Sequence, residues 1–71
     1  MYPNPAGSFF FVETSSNAVV TIFDVQGRIL SVDSVQAGKT RLDASQLNAG
    51  IYMIEIQTEQ GKFQSRLMIE R

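Results

Sequence analysis

Apolar residues along this chain come in short stretches rich in Val, Ile, Phe and Tyr, separated by Gly, Asn, Asp and Ser. That pattern belongs to strands and turns, and it predicts strands near 8–13, 18–24, 28–35, 38–43, 50–58 and 61–70. A strand every 8–12 residues or so points to an antiparallel sandwich or barrel, not to strands alternating with helices. The fold class read from the residues is all-β.

Period-two alternation assigns faces. In "IYMIEIQ", Tyr52, Ile54 and Ile56 share one face and are expected in the core, with Met53, Glu55 and Gln57 outside. In "KFQSRLMIER", Phe63, Leu67 and Ile69 share the inward parity with Ser65, leaving Lys62, Gln64, Arg66, Met68 and Glu70 outside. "AVVTIFD" is apolar on both sides, Val20 and Ile22 against Val19 and Phe23, as a central strand would be. In "SFFFVE" the inward pair is taken as Phe10 and Val12.

The turns are more specific than the strands. "DVQGR" puts Asp24 and Gly27 at the first and fourth positions of a type I turn, where Asp caps turn amides and Gly accepts positive φ. "TEQGK" gives Gly61 the same role in a second hairpin. "LDASQLNAGIY" is too short for an independent helix; Asp43 and Ser45 can bond nearby amides so that Leu42 and Leu47 both point inward, and Gly50 then leads into the strand carrying Tyr52. At the N-terminus, the prolines of "YPNP" fix φ and push Tyr2 and Asn4 toward extended backbone. Residues 1–7 are therefore expected as an extended, linker-like lead-in to a sandwich over 8–71, the whole chain 1–71 making a single domain.

Composition narrows the chemistry. Seventy-one residues without Cys must hold their core by apolar burial and hydrogen bonds alone. Six basic against seven acidic residues, with no cluster of like sign, predict neither nucleic acid nor anionic lipid as a partner. No apolar run exceeds the four residues Phe9 to Val12, far short of a signal-peptide core or a membrane span. Either a cytoplasmic protein or the C-terminal piece of a longer exported one is compatible with this, and Met1 before the extended "YPNP" suits the second.

With neither His nor Cys, the Ser-His, Cys-His and zinc arrangements have no members here. Seven carboxylates remain, Glu13, Asp24, Asp33, Asp43, Glu55, Glu59 and Glu70, in turns or outward positions and without the spacing of a calcium loop. The glycines stand one per strand junction, unlike a phosphate cradle. No catalytic residue, metal site or cofactor is expected.

Four stretches, "YPNP" at 2–5, "VVTIFDVQGRIL" at 19–30, "LDASQLNAGIYMIEI" at 42–56 and a final "SRLMIER", follow one another in a familiar order. Together they resemble the C-terminal sorting domain of proteins exported by the type IX (Por) secretion system of Bacteroidetes, over essentially the whole chain. The resemblance implies a small immunoglobulin-like antiparallel β-sandwich of six to seven strands at the end of a larger cargo protein. That cargo would cross the inner membrane by its own signal peptide. In the periplasm the domain would meet the outer-membrane type IX translocon. A sortase-like cysteine peptidase then removes it in many members, and the cargo is released or joined to anionic lipopolysaccharide. The family's motifs fall on Pro3, Asn4 and Pro5, on Asp24 and Gly27, on Gly50 and Tyr52, and on the final strand with Arg66, Met68 and Arg71. Members often end in Lys; Arg66 and Arg71 keep the charge here but change the donor geometry. A cleavage site would lie upstream of Tyr2. The competing expectations are a non-catalytic immunoglobulin-like or fibronectin-like accessory module, which needs an exposed aromatic or acidic ligand face, and an enzyme, which needs carboxylates such as Asp33, Asp43 and Glu55 converging in one cleft.

Overall fold

The computed structural model of the chain describes residues 9–70. Six strands run in the order β1 (Phe9–Thr14), β2 (Ala18–Phe23), β3 (Ile29–Val35), β4 (Gly38–Asp43), β5 (Gly50–Thr58) and β6 (Gly61–Ile69). Each expected strand is present with its ends within one residue, and no helix occurs among the described residues. Pro3, Asn4 and Pro5, the lead-in they belong to, and Arg71 lie outside the described residues.

The strands form two antiparallel sheets, one of four strands in the order β3-β2-β5-β6 and one of two, β1-β4. Three links carry the chain between sheets, β1 to β2, β3 to β4 and β4 to β5, while β2-β3 and β5-β6 are hairpins. The side-chain amide oxygen of Asn17 accepts a bond from the Ala37 amide at 3.1 Å, tying together two of the crossing links.

The core lies between the sheets. Phe10 and Val12 of β1 and Leu42 of β4 face Val20 and Ile22 of β2, Ile54 of β5, and Leu67 and Ile69 of β6, all buried, with Ala18, Val35 and Ala44 at the margins. β2 sits between β3 and β5, as its two apolar faces predict. Fully burying side chains of this size is worth roughly 1.5–3 kcal/mol each, the only large favourable contribution available to a chain without disulfides.

Phe63 and Ser65 depart from the face assignment, and Tyr52 and Ile56 are half-buried against the core rather than within it. Phe63 keeps the inward parity, opposite Ile56, yet it is 56% exposed, and Ser65 is exposed too. The cause is width. β1 ends at Thr14, and an open cleft of about 310 Å³, lined by Thr14, Ser15, Ile56, Thr58 and Phe63, remains beneath the β5-β6 hairpin. Thr14 Oγ1 is buried beside this cleft with no hydrogen-bond partner. Tyr52, expected in the core, is only half-buried because it stands at the opposite rim of the sandwich, where its hydroxyl is needed at the surface.

Leu67→Ala should therefore lose about 2–5 kcal/mol, as large-to-small changes in closed cores do, and leave little of the folded state of so small a domain. Phe63→Ala, despite the same strand parity, should cost under about 1 kcal/mol because its site is open. Urea unfolding midpoints of the two variants distinguish these outcomes.

Candidate recognition surface

The hairpin between β2 and β3 is organised by one carboxylate. Asp24 Oδ1 accepts the Gln26 and Arg28 amides, both at 2.9 Å, while Oδ2 accepts Arg28 Nε at 2.8 Å. Its main chain closes the loop through the Asp24 amide to the Arg28 carbonyl and the Gly27 amide to the Asp24 carbonyl, each 3.0 Å. Gly27 takes φ of 87°, and a Cβ there would meet no other atom, so glycine is required by backbone conformation alone. The Arg28 amide, above all, holds the Asp24 carboxyl below its ordinary value; partial burial opposes this, and the Arg28 guanidinium and the Gln26 amide add to it. Asp24 is the inner partner of the pair, its side chain 15% exposed against 74% for Arg28.

The loop from β4 to β5 is held by Asp43 Oδ1, which accepts the Ser45 amide at 2.9 Å, and by the Leu47 amide bonding the Ala44 carbonyl at 3.1 Å. Leu47 packs on the core from this loop. Gly50 opens β5 opposite Ile69. Two residues on, Tyr52 donates its hydroxyl to the Asn48 carbonyl at 2.6 Å. A tyrosine near the start of a strand, bonded back to main chain a few residues upstream, is the corner device of immunoglobulin-type sandwiches. Here it locks the β4-β5 crossing to the sheet.

β6 is one edge of the four-stranded sheet, paired with β5 alone among the described residues. On the outer face Arg66 stands opposite Met53, and Met68 opposite Ile51; Met53 in turn stands opposite Phe23 of β2. These rows form the floor of an open groove of about 450 Å³. The tip of the Asp24–Gly27 turn walls it, Arg66 and Gln64 lie on the β6 side, and Tyr52, whose ring packs toward the core, borders it from the strand between Ile51 and Met53. Gln64 is fixed by its side-chain amide, which donates to Glu55 Oε1 at 3.1 Å.

Residues 1–70 match the family described as the secretion system C-terminal sorting domain. The chain belongs to that family. It is a type IX secretion sorting domain, and Bacteroidetes and the outer membrane follow from the family. No curated protein and no solved structure gave a match. Membership also implies export toward the cell surface or medium, and no helix among the described residues is long and apolar enough to cross a membrane.

The fold of the sorting domain brings Asp24, Gly27, Tyr52 and Arg66 to a single groove although 42 residues separate the first from the last. Met68 is half-buried in the adjoining row, and Gly50 lies beside it at the strand start without lining the groove. Sequence reasoning missed the groove's apolar floor, Phe23, Ile51 and Met53, with Val25 in the turn beside it. The signal was present as outward-parity apolar residues in β2 and β5, which a purely solvated face would not carry. Asp33, Asp43 and Glu55 stand on three different strands, β3, β4 and β5, and no acidic group of three or more fit to hold a metal ion occurs among the described residues.

Two measurements follow from this geometry. A carboxylate whose folded pKa is depressed stabilises above its ordinary value, 3.8 for Asp24, and that contribution disappears as pH falls through the lower folded value. The thermal midpoint of the wild type should therefore exceed that of Asp24→Asn at neutral pH, and the gap should close on acidification below about pH 4. Tyr52→Phe, which keeps the ring and deletes the bond to Asn48, should cost about 1 kcal/mol by chemical denaturation.

Proposed function

We propose that the folded sandwich is the sorting signal, read in the periplasm by the outer-membrane type IX translocon through the groove and the β6 edge beside it. The observation that carries this reading is the convergence of Asp24, Gly27, Tyr52 and Arg66 on one open groove. The groove offers an apolar, Met-containing floor, able to adapt to a partner surface, with a guanidinium at one side for a carboxylate. The adjacent edge of β6 offers main-chain groups to which a partner segment adds as a strand, so that affinity comes from the backbone and register from the side chains.

In this reading the cargo precedes the sandwich, and residues 1–7, with Pro3, Asn4 and Pro5, form the linker through which it enters. A sortase-like peptidase cuts upstream of Tyr2 after translocation, and the cargo is released or attached to the surface. The domain itself does no chemistry. It supports export as a tag, and Arg71 adds a second arginine to the C-terminal sequence after Arg66.

Fusing residues 2–71 behind a periplasmic reporter in a Bacteroidetes host tests this. The intact domain should carry the reporter to the surface or medium. The double variant Arg66→Ala, Arg71→Ala, and separately Met53→Asp in the groove, should retain it in the periplasm while circular dichroism of the purified domains shows the fold intact. Wild-type levels of export by both variants would overturn the proposal. A folded wild-type domain that exports nothing would instead favour an accessory ligand-binding module.

A further inference from the structure

The chain has no Cys, so a two-electron oxidant meets sulfur only in three methionines, Met1, Met53 and Met68. Met1 lies outside the described residues. Met68 is half-buried opposite Ile51 and does not line the groove. Met53 is placed differently. It is 42% exposed and lines the open groove, standing in register between Phe23 of β2 and Arg66 of β6. Its neighbours along β5, Tyr52 and Ile54, turn toward the core, where Ile54 is fully buried. A chemical change at the Met53 sulfur therefore alters the outer face of the sheet and leaves the core packing intact.

We propose that Met53 is a reversible oxidation site, and that its conversion to the sulfoxide by hydrogen peroxide turns off recognition at the groove. This rests on the reading of the groove as the surface that the export machinery recognises. In the step itself the thioether lone pair attacks one peroxide oxygen, and an S–O bond forms as the O–O bond breaks. The proton on the transferred oxygen passes to the departing hydroxide, which leaves as water; sulfur loses two electrons and the peroxide gains them. The product is polar and chiral where the thioether was apolar and pliable. A partner that covers the floor must then strip water from the sulfoxide oxygen or supply a donor for it. The same oxygen offers Arg66, opposite in register, an acceptor within its own sheet, in competition with a partner's carboxylate. Methionine sulfoxide reductases reverse the change, so the groove returns to its apolar state when the oxidant is gone.

Trypsin separates the relevant sulfurs, since Met53 falls in the peptide of residues 42–62 and Met68 in that of residues 67–71. After brief exposure of the folded 71-residue chain to dilute hydrogen peroxide, the first peptide should gain one oxygen about threefold faster than the second. The circular dichroism spectrum should be unchanged, and methionine sulfoxide reductases with a thiol reductant should restore the original mass. Oxidation of Met68 as fast as Met53, or unfolding of the oxidised chain, would overturn the proposal without touching the groove reading. In the reporter host, a peroxide pulse should lower export by the wild-type domain about fivefold or more relative to its untreated level. The treated-to-untreated ratio of Met53→Leu should stay near one, which separates the switch from damage to the export machinery. Equal peroxide sensitivity of the two domains overturns the switch while loss of export by Met53→Asp still supports the groove; normal export by Met53→Asp removes the groove reading itself and this proposal with it.

Discussion

Everything in this domain depends on one narrow apolar layer between a four-stranded and a two-stranded sheet. A chain of 71 residues without Cys has no other means of holding itself together. The layer is anchored by β2 and β5, whose Val20, Ile22 and Ile54 are covered by Phe10 and Val12 from the opposing sheet. Because those two strands fill the middle of the larger sheet, they also fix what its outer face displays. The side chains alternating with the core residues, Phe23, Ile51 and Met53, are thereby committed to the groove.

The core and the recognition surface are two sides of the same strands, and this economy has a structural consequence. The edges carry much of the interaction potential, since among the described residues the two sheets do not join into a closed barrel. β6 answers with cations and β3 with an almost uncharged apolar strand. The pieces that frame the groove, the Asp24 hairpin and the Tyr52 corner, are fixed by short hydrogen bonds to main chain, and the corner also by the packing of Leu47 and Tyr52 against the core.

Much of this was legible in the residues. Alternation and turn chemistry are local, and they placed the strands and the Asp24–Gly27 turn because the determinants lie within a few residues of one another. The four-part order of motifs named the family for the same reason. Legibility failed where the determinant was remote. Phe63 has core parity and core chemistry, but its burial depends on how far β1 extends over it, and β1 stops at Thr14. Tyr52 was read as core from its parity, whereas its place at the rim is set by the crossing from β4 that its hydroxyl clasps.

The sequence by itself determined the all-β class, the strands, the hairpin turns, the central position of β2 and the membership of the family, since each is written in short-range pattern or ordered motif. Only the tertiary structure decided that Asp24, Gly27, Tyr52 and Arg66 share a groove with Met53, and that β3 and β6 are the two edges of one sheet. Those facts depend on strand order and on the unequal width of the two sheets. Both are settled by which strands pair across distant stretches of chain, and no periodicity within a single strand can encode that choice.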